Sequence, residues 1–134
     1  MICLDTTFLI DLWRGKDRSD DPTRGFMQLY GGEHFIVPAH AVGEFLEGAA
    51  SVSEVRFEEA IRYLRLFQTV DVSFDTGIVY ARIVADLRQR SLLAGLSKVD
   101  MWIAAVAIEH GGLLATRNGK HFRQVAGLRV VEYA

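Results

Sequence analysis

Three acidic side chains occupy positions in the sequence from which carboxylates could carry out chemistry. Asp5 directly follows an apolar run at the start of the chain, and Glu44 and Asp100 are each surrounded by apolar residues. Carboxylates that are brought close together repel one another unless something positive lies between them. A divalent cation fills that role most simply, because Mg²⁺ and Mn²⁺ bind one or two carboxylates together with waters and phosphate oxygens. The acids therefore predict a metal site, provided that the fold brings them together.

Each of these acids also has a purely structural explanation. Asp5 suits the N-cap position of a following helix, where aspartate is common. Ser97 and Asp100 fit a capping box, in which the acid at the third helical position bonds back to the cap. Glu44 fits a solvated charge on a helix surface, as Glu47 does. Taken one at a time these structural explanations are favoured, and only the joint placement of the three acids favours a site.

The elements that must position the acids alternate along the chain between short apolar strands and amphipathic helices. Strands are predicted over residues 2–4, 34–37, 69–72, 113–116 and 128–132, with Pro38 expected to stop the second one. Helices are predicted over residues 7–13, 25–30, 40–50, 54–67, 74–90 and 97–110. Such alternation implies parallel strands joined by right-handed crossovers, and wholly apolar strands imply a sheet covered on both faces. The prediction is an α/β fold, a three-layer α/β/α sandwich around a central, mostly parallel sheet of about five strands, built as a single domain over residues 1–134.

Parallel sheets bind their ligands beyond the carboxyl ends of the strands. Asp5 ends the first predicted strand, which is commonly central in such sheets, and Thr116 and Asn118 lie at the end of the fourth. Glu44 lies near the start of the helix after the second strand, and Asp100 lies in the first turn of the last long helix. All of these positions face the same edge of the sheet. The three acids should therefore converge on one cleft, with Thr116 and Asn118 beside them.

The composition is that of an ordinary globular protein. The 134 residues are one domain's worth, with 50% hydrophobic and 24% charged residues. Cys3 is the single cysteine and lies in an apolar run, so no internal disulfide is possible and a reducing compartment is expected. The start of the chain lacks the basic lead of a signal peptide, and no apolar run reaches transmembrane length. We therefore expect a cytoplasmic protein.

The net charge of −2 argues mildly against a general polyanion binder, because nucleic-acid-binding proteins usually carry a basic surface. Any basic surface must then be local. One group of basic residues lies near the C-terminus, and a second, looser group follows the first helix: Arg117, Lys120, His121 and Arg123, then Arg14, Lys16, Arg18 and Arg24. Taken alone, these groups are more simply explained as solvated surface charges.

Four short segments together resemble the motifs of PIN-domain nucleases. They read ICLDTT from residue 2, EFLEG from residue 44, DMWIAA from residue 100, and TRN from residue 116 followed by HF at residue 121. Each segment alone is a weak signal, whereas four segments in the family's order and spacing are specific. The resemblance covers nearly the whole chain, including the last predicted strand. The compact length is similar to that of the VapC group, the toxin half of VapBC toxin–antitoxin pairs.

The resemblance implies a Mg²⁺-dependent endoribonuclease, with Mn²⁺ as a substitute ion, that hydrolyses RNA phosphodiester bonds. Asp5 and Asp100 would be the main metal ligands, and Glu44 would bind the metal or orient the attacking water. Thr116 and Asn118 would fix the geometry of these groups. Carboxylate, hydroxyl and amide oxygens are all suited to such a hard ion.

The last motif bears on both the substrate and the number of metal ions. The resemblance implies that Arg117, Lys120 or His121 steadies the RNA phosphates. Many PIN domains carry a fourth acid after the threonine of this motif, but the residues available here are Asn118 and His121. Asn118 can still bind a water or a metal through its carbonyl oxygen. The choice between one metal ion and two therefore stays open.

The resemblance also implies two kinds of partner. VapC-like toxins are held inactive by a cognate VapB-like antitoxin, whose C-terminal segment covers the active groove, and they usually form homodimers. Exposed apolar patches mark partner surfaces. Large apolar side chains are frequent in the first two predicted helices: Trp13, Phe26, Met27, Leu29 and Tyr30. The same side chains are equally compatible with a simple role in the core.

Two other functions stay open. A PIN-like module that binds RNA or protein without cutting would also lack the fourth acid, because loss of that acid can accompany loss of catalysis. Metal-dependent activity of the purified protein separates this alternative from a nuclease. A phosphatase or phosphoacceptor domain with Asp5 as nucleophile is less well supported, because Thr6 and Thr7 stand where the second aspartate of an Asp-x-Asp motif would be.

Overall fold

The computed structural model of the protein describes residues 1–133. Five strands form its sheet: β1 (Ile2–Leu4), β2 (Phe35–Pro38), β3 (Gln68–Val70), β4 (Leu113–Ala115) and β5 (Arg129–Val131). Over the same residues the chain forms seven α-helices: α1 (Thr6–Arg14), α2 (Pro22–Leu29), α3 (Ala39–Ala50), α4 (Glu54–Leu64), α5 (Phe74–Gln89), α6 (Lys98–Glu109) and α7 (Gly119–Phe122). A short 3₁₀ turn, Leu93–Gly95, lies between α5 and α6.

The sheet is parallel throughout, with the strand order β3-β2-β1-β4-β5. Cys3 of the central strand β1 pairs with Ile36 on one side and with Leu114 on the other. The three residues of β1 are at most 1% exposed, so both faces of the sheet are covered here. The predicted α/β/α sandwich, with its five strands and a central first strand, is confirmed.

Strand β1 is the place at which the chain changes its direction across the sheet. From β1 the chain continues to β2 and β3 on one side, and it then returns to β4 and β5 on the other. Parallel sheets open their ligand-binding crevices beyond the carboxyl ends of the strands at such a place. Asp5 directly follows β1 and Thr116 directly follows β4, which puts both residues at this crevice.

Helix α2 begins earlier than the apolar pattern predicts. The pattern indicates a start at residue 25, whereas the helix begins at Pro22. The Asp21 side chain accepts hydrogen bonds from the backbone N–H groups of Thr23 and Arg24. Proline is favoured in the first turn, because its missing donor would have no partner there. The cap therefore sets the start of this helix, and apolar spacing carries no information about it.

The sequence predicts that Pro38 stops strand β2, but in the structure Pro38 is the last residue of the strand. It pairs in register with Val70 of β3 and is then the N-cap of α3. Its backbone is extended, with φ −66° and ψ 145°, and its carbonyl can still accept a hydrogen bond. The predicted boundary was wrong by one residue, because a proline at the end of a strand costs no further ladder bond.

Most of the large apolar residues near α1 and α2 belong to the core. Phe26 is buried, and Trp13, Met27 and Tyr30 are half-buried and pack against the core. Leu29 differs from them, because 78% of it is exposed. The core interpretation of this group therefore holds for most of its members.

Two expectations from composition can be compared with the structure. Cys3 is 1% exposed, and burial raises the pKa of its thiol, as does the charge of Asp5 to a lesser extent. The thiol therefore stays neutral and unreactive. Among residues 1–133, no helix combines the length and the apolar character needed to cross a membrane.

Candidate active site

A cavity of about 340 Å³ lies where β1 and β4 end. Its lining combines acidic, hydroxyl and amide side chains with two apolar ones: Asp5, Thr6, Thr7, Ile10, Glu44, Asp100, Asn118 and Phe122. These residues come from the ends of two strands and from four helices, α1, α3, α6 and α7. The three acids singled out in the sequence therefore line one cavity together.

Asp5 is the most deeply buried of the three acids, at 3% exposed. Its Oδ1 accepts hydrogen bonds from the Phe8 N–H at 2.9 Å and the Thr7 hydroxyl at 2.8 Å, and its Oδ2 accepts one from the Thr116 hydroxyl. Burial raises the pKa of Asp5, and the charge of Asp100 adds to this, while the three hydrogen bonds lower it. Asp5 is therefore both the N-cap of α1 and a wall of the cavity.

Glu44 reaches the cavity from the second turn of α3. It is exposed, and its Oε1 accepts a hydrogen bond of 2.5 Å from the Thr6 hydroxyl. Thr6 directly follows Asp5, so this bond links the end of β1 to α3 across 38 residues. The bond holds Glu44 at the rim of the cavity, which a solvated surface charge would not require.

Asp100 enters the cavity from the first turn of α6 and is partly buried. Its backbone N–H donates a 3.1 Å hydrogen bond to the Ser97 hydroxyl, which is the serine half of the predicted capping box. Burial raises the pKa of Asp100, and the charge of Glu44 raises it too. Hydrogen bonds with Ser97 and the charge of His121 lower it. Because Asp100 also raises the pKa of Asp5, the three carboxylates act on one another through their charges.

Thr116 and Asn118 lie directly beyond β4. Thr116 is fully buried, and its hydroxyl donates to Asp5 while it accepts a 2.9 Å hydrogen bond from the Asn118 N–H. A single hydroxyl therefore joins the buried acid to the loop that carries Asn118. The structure brings both predicted supporting residues to the acids, with Asn118 in the cavity wall and Thr116 behind Asp5.

The three basic residues considered for phosphate binding have different surroundings. Arg117 is 54% exposed, and its Nη1 forms a salt bridge of 3.0 Å with Asp11 of α1. Lys120 is exposed on α7. His121 lies close enough to Asp100 for its charge to lower the pKa of that carboxyl. The structure therefore brings His121 to the acids, and it pairs Arg117 with a different carboxylate.

The oxygen atoms at the cavity are chemically suited to a hard divalent ion. They belong to carboxylates, hydroxyls and one amide, which are the donors that Mg²⁺ and Mn²⁺ prefer. Within residues 1–133, no three Asp, Glu, His or Cys side chains come close enough together to hold an ion by themselves. Mg²⁺ does not need such a cage, because it keeps several waters and takes one or two carboxylates. The mutual repulsion of Asp5 and Asp100 is what a bound cation would relieve, so the residues fit a largely hydrated ion.

Sequence reasoning missed several residues that hold the site together. Thr6 and Thr7 each donate a hydrogen bond to one of the acids, and their position directly after β1 is a signal that could have found them. Asp11 and Tyr133 offer no such signal. The Tyr133 hydroxyl donates a 2.7 Å hydrogen bond to Asp11 across 122 residues, and only the folded chain reveals that pair.

Two further acids that could have supplied a fourth carboxylate are engaged elsewhere. Glu109 accepts hydrogen bonds from the hydroxyls of Ser73 and Thr76 at the start of α5. Glu132 forms a salt bridge of 3.0 Å with Arg123. Neither of the two is among the described residues that line the cavity. The cavity is therefore built on three acids.

Comparisons with known proteins agree with this fold. The PIN-domain family profile matches residues 2–128. The chain is similar to Ribonuclease VapC1 of Rickettsia felis, with 31% identity over 135 residues that cover 97% of this chain and 94% of that protein. The fold is similar to the crystal structure of VapBC2 from Rickettsia felis bound to a promoter DNA fragment, with a TM-score of 0.81, 21% identity and 100% of both chains covered. It is also similar to DNA-bound VapBC from Salmonella typhimurium, with a TM-score of 0.82, 19% identity and coverage of 99% of this chain and 98% of that one.

The family match and the relative both extend over nearly the full length of the chain. The matched residues include every acid of the cavity and the loop beyond β4. The chain therefore belongs to the PIN-domain family, and within it to the VapC-like proteins.

Proposed function

We propose that this protein is a metal-dependent endoribonuclease and the toxin of a toxin–antitoxin pair. The observation that carries the proposal is the convergence of Asp5, Glu44 and Asp100 on one cavity in a PIN-domain chain. The relative with 31% identity is named a ribonuclease, which supports the same activity here. The proposal treats residues 1–134 as one catalytic domain.

In this proposal Asp5 and Asp100 hold Mg²⁺, for which Mn²⁺ can substitute. When bound, the ion polarises the phosphate and lowers the pKa of a bound water. Glu44, held at the rim by Thr6, binds the same ion or orients the attacking water. Thr116 keeps the Oδ2 of Asp5 in place, as groups that support metal ligands commonly do.

The proposal assigns the RNA phosphates to positive groups at the edge of the cavity. His121 is the best placed of these, because a positive charge on its ring would act on Asp100. Lys120 lies next to it on α7 and is exposed, so it can contact the backbone further along. Arg117 is exposed, but its Nη1 is already paired with Asp11. Phosphate contacts of this kind position the substrate without reading its sequence.

The number of ions depends on the residue in the place of the fourth acid. Asn118 and His121 are the residues available there, and neither is a carboxylate; Asn118 lines the cavity and supplies an uncharged oxygen. An amide oxygen attracts a second cation more weakly than a carboxylate does. The proposal therefore requires one bound ion and does not depend on a second.

We further propose a VapB-like antitoxin as the partner. The two solved structures compared above are VapBC complexes, which supports a partner of that kind. A second cavity of about 230 Å³ shares Ile10 and Glu44 with the acid-lined cavity and continues along Trp13 and Phe45. An apolar segment of the antitoxin bound in this second cavity would lie against Glu44, at the edge of the acid-lined cavity. The proposal also includes a homodimer, and it places the activity in the cytoplasm, where RNA and the antitoxin are made.

Cleavage of a mixed cellular RNA pool by the purified protein tests the proposal. We expect cleavage with Mg²⁺ or Mn²⁺, loss of cleavage in EDTA, and recovery when excess Mg²⁺ is added back. Thermal melting in EDTA serves as the control, because a protein that stays folded there has lost only the ion. Cleavage that is indifferent to EDTA would contradict the metal-dependent mechanism.

The alternative is a PIN-like module that binds RNA or protein without cutting. The observation that favours it is that Asn118 and His121, the residues available in place of the fourth acid, are not acidic. The same experiment separates the two functions. A folded protein that binds RNA in Mg²⁺ and in Mn²⁺ but leaves it uncut would support the binding module.

A further inference from the structure

Asp11, in the middle of α1, receives hydrogen bonds from two distant parts of the chain. Arg117 Nη1 donates to its Oδ1 at 3.0 Å, and the Tyr133 hydroxyl donates to its Oδ2 at 2.7 Å. The two donors lie 106 and 122 residues away, in the segments that follow β4 and β5. The Asp11 side chain is 17% exposed, so solvent screens this ion pair less than it screens a fully exposed one. Asp11 therefore ties the ends of two strands to α1.

The segment held through Arg117 is also the segment that supports Asp5. Thr116, the residue before Arg117, donates its hydroxyl hydrogen to Asp5 Oδ2. Asn118, the residue after it, donates its N–H to the Thr116 hydroxyl at 2.9 Å. A displacement of Arg117 would therefore move both neighbours. The contact with Asp11 bears on the cavity in this way, although Asp11 does not line it.

Tyr133 acts on the same carboxylate from the other side. Its ring packs edge-to-face on Phe8, with ring centroids 4.7 Å apart, and the Phe8 N–H donates a 2.9 Å hydrogen bond to Asp5. Burial raises the pKa of Tyr133, and the hydrogen bond to Asp11 raises it further, so the hydroxyl remains a proton donor. Two of the residues that donate to Asp5 are therefore adjacent to a partner of Asp11. Thr116 precedes Arg117 in the sequence, and the ring of Phe8 packs on Tyr133.

We propose that Asp11 is a positioning residue of the nuclease, which holds Asp5 and its supporting loop in place through Arg117 and Tyr133. The inference rests on the proposed function. It gives Arg117 a carboxylate as its partner in place of an RNA phosphate. Loss of Asp11 leaves both donors without their acceptor and loosens the loop that supports Asp5. The chemical step is therefore slowed more than the binding of RNA.

A double-mutant cycle tests the pair directly, with kcat and KM measured for RNA cleavage in Mg²⁺. Asp11→Asn and Arg117→Gln should each lower kcat about 10- to 100-fold while KM changes less than about twofold. The double variant should be no slower than the slower single variant, because both changes break the same pair. Asp17→Asn removes the same charge from an exposed position nearby and is the matched control. It should cleave RNA at the wild-type rate.

A second readout does not depend on activity. Amide hydrogen exchange at Asn118 and Phe8 reports on the two hydrogen bonds that connect the network to the acid, and it should become faster in Asp11→Asn. Tyr133→Phe is the milder variant, because it keeps the ring against Phe8 and removes only the hydroxyl. It should lower kcat less than Asp11→Asn does, with a small loss of stability from the missing hydrogen bond.

The salt dependence of RNA binding distinguishes positioning from phosphate contact. Arg117→Gln should leave the slope of log affinity against log salt unchanged. A slope that falls by about 1, together with a raised KM, would assign Arg117 to an RNA phosphate and overturn the inference. Unchanged kcat and unchanged exchange in Asp11→Asn would overturn it as well. Wild-type protein that cuts no RNA would instead contradict the proposed function, and unchanged exchange rates would then still overturn the role of Asp11.

Discussion

Asp5 is almost completely buried and must still be ionised to bind a cation. Burial raises its pKa, and hydrogen bonds from Thr116, Phe8 and Thr7 oppose that rise. A buried carboxylate that loses a donor is costly, because the desolvated charge is then left partly without a partner. Thr116 is the most informative of the donors, since its side chain is fully buried and water has no access to replace it. Removal of this hydroxyl therefore tests how far Asp5 depends on its donors.

Thr116→Val should lower both the stability and the activity of the protein. Valine keeps the volume of threonine but leaves the Oδ2 of Asp5 and the N–H of Asn118 without their partner. We expect a loss of about 1–3 kcal/mol in the free energy of unfolding, measured by urea titration. Cleavage should fall about 10- to 100-fold, as is usual for groups that support metal ligands. Thr116→Ser keeps the hydroxyl, so a serine variant as inactive as the valine variant would contradict this role.

Residue type and position predicted where the acids lie, but they did not predict every partner. Asp5, Glu44 and Asp100 were expected at one edge of the sheet, and the structure places them in one cavity there. The partner of Arg117 could not be predicted. An exposed arginine beside a nuclease site suggests an RNA contact, and the competing carboxylate of Asp11 lies 106 residues away in sequence.

At the scale of elements, the start of α2 depends on one buried carboxylate. Asp21 is 4% exposed, and its Oδ2 accepts hydrogen bonds from the N–H groups of Thr23 and Arg24. Burial alone would raise the pKa of Asp21, but the hydrogen bonds to Thr23, Arg24 and a salt bridge with Arg18 outweigh it, and the pKa is lowered. Gly15, at the end of α1, lies directly against this carboxylate.

The lowered pKa of Asp21 predicts a pH-dependent contribution to stability. A carboxyl whose folded pKa lies below its unfolded value, about 3.9, stabilises the fold fully above that value and less as pH falls through the folded pKa. Asp21→Asn should therefore be less stable than wild type at pH 7, by on the order of 1 kcal/mol. The difference should shrink in urea titrations as the pH falls below about 4. Asp20→Asn, at the exposed neighbouring position, should follow the wild-type curve, and a constant difference for Asp21→Asn would contradict the prediction.

The close approach of Gly15 to Asp21 predicts that the end of α1 accepts no larger residue. A Cβ at position 15 would lie 2.1 Å from the Oδ1 of Asp21, and this carboxylate cannot move without losing its hydrogen bonds. Gly15→Ala should lower the free energy of unfolding by about 1–3 kcal/mol. Gly25→Ala is the matched control, because position 25 is helical and exposed with no atom within 4 Å of the added Cβ. Gly25→Ala should raise the free energy of unfolding by up to about 1 kcal/mol. Equal effects of the two changes in denaturant titrations would contradict the role of the contact between Gly15 and Asp21.

Of the helices predicted from a long apolar pattern, α5 and α6 were predicted well, whereas α4 ends at Leu64, three residues before its predicted end. Elements defined by caps or by a few residues were predicted less well. Strand β1 and the long helices α5 and α6 lie within one or two residues of their predicted bounds. Helix α7 was missed, because its four residues are too few to show a helical period. The start of α2 depends on the hydrogen bonds of Asp21, and these depend on how the preceding loop folds.

At the scale of the whole molecule, the parallel sheet assembles a site from parts that lie far apart in sequence. The strand order puts β1 between β2 and β4, so the residues beyond β1 and β4 and the helix after β2 meet at one edge. Topology of this kind follows from the alternation of strands and helices, which is why the cavity could be located from sequence. The small polar contacts within it depend on side-chain packing and could not.

The proposed toxin function predicts an effect on living cells. Induced expression of the wild-type protein in a bacterial host without the antitoxin should slow growth, because cleaved RNA no longer supports protein synthesis. Growth curves should show that Asp100→Asn is harmless at the same protein level. Co-expression of the cognate VapB-like protein should restore the growth of cells that express the wild-type protein. An Asp100→Asn variant as toxic as the wild type would separate the toxicity from the acidic cavity.

The most direct test of the account compares RNA cleavage by Asp100→Asn and Asp75→Asn. Both acids lie in the first turn of a helix behind a serine N-cap, so the two changes remove the same charge from similar local structure. Asp100 lines the cavity, whereas Asp75 is exposed at the start of α5. We expect Asp100→Asn, with a wild-type melting curve, to cleave RNA in Mg²⁺ at least about 100-fold more slowly than the wild type, while Asp75→Asn keeps the wild-type rate. Cleavage by Asp100→Asn at the wild-type rate would contradict the assignment of this cavity as the active site.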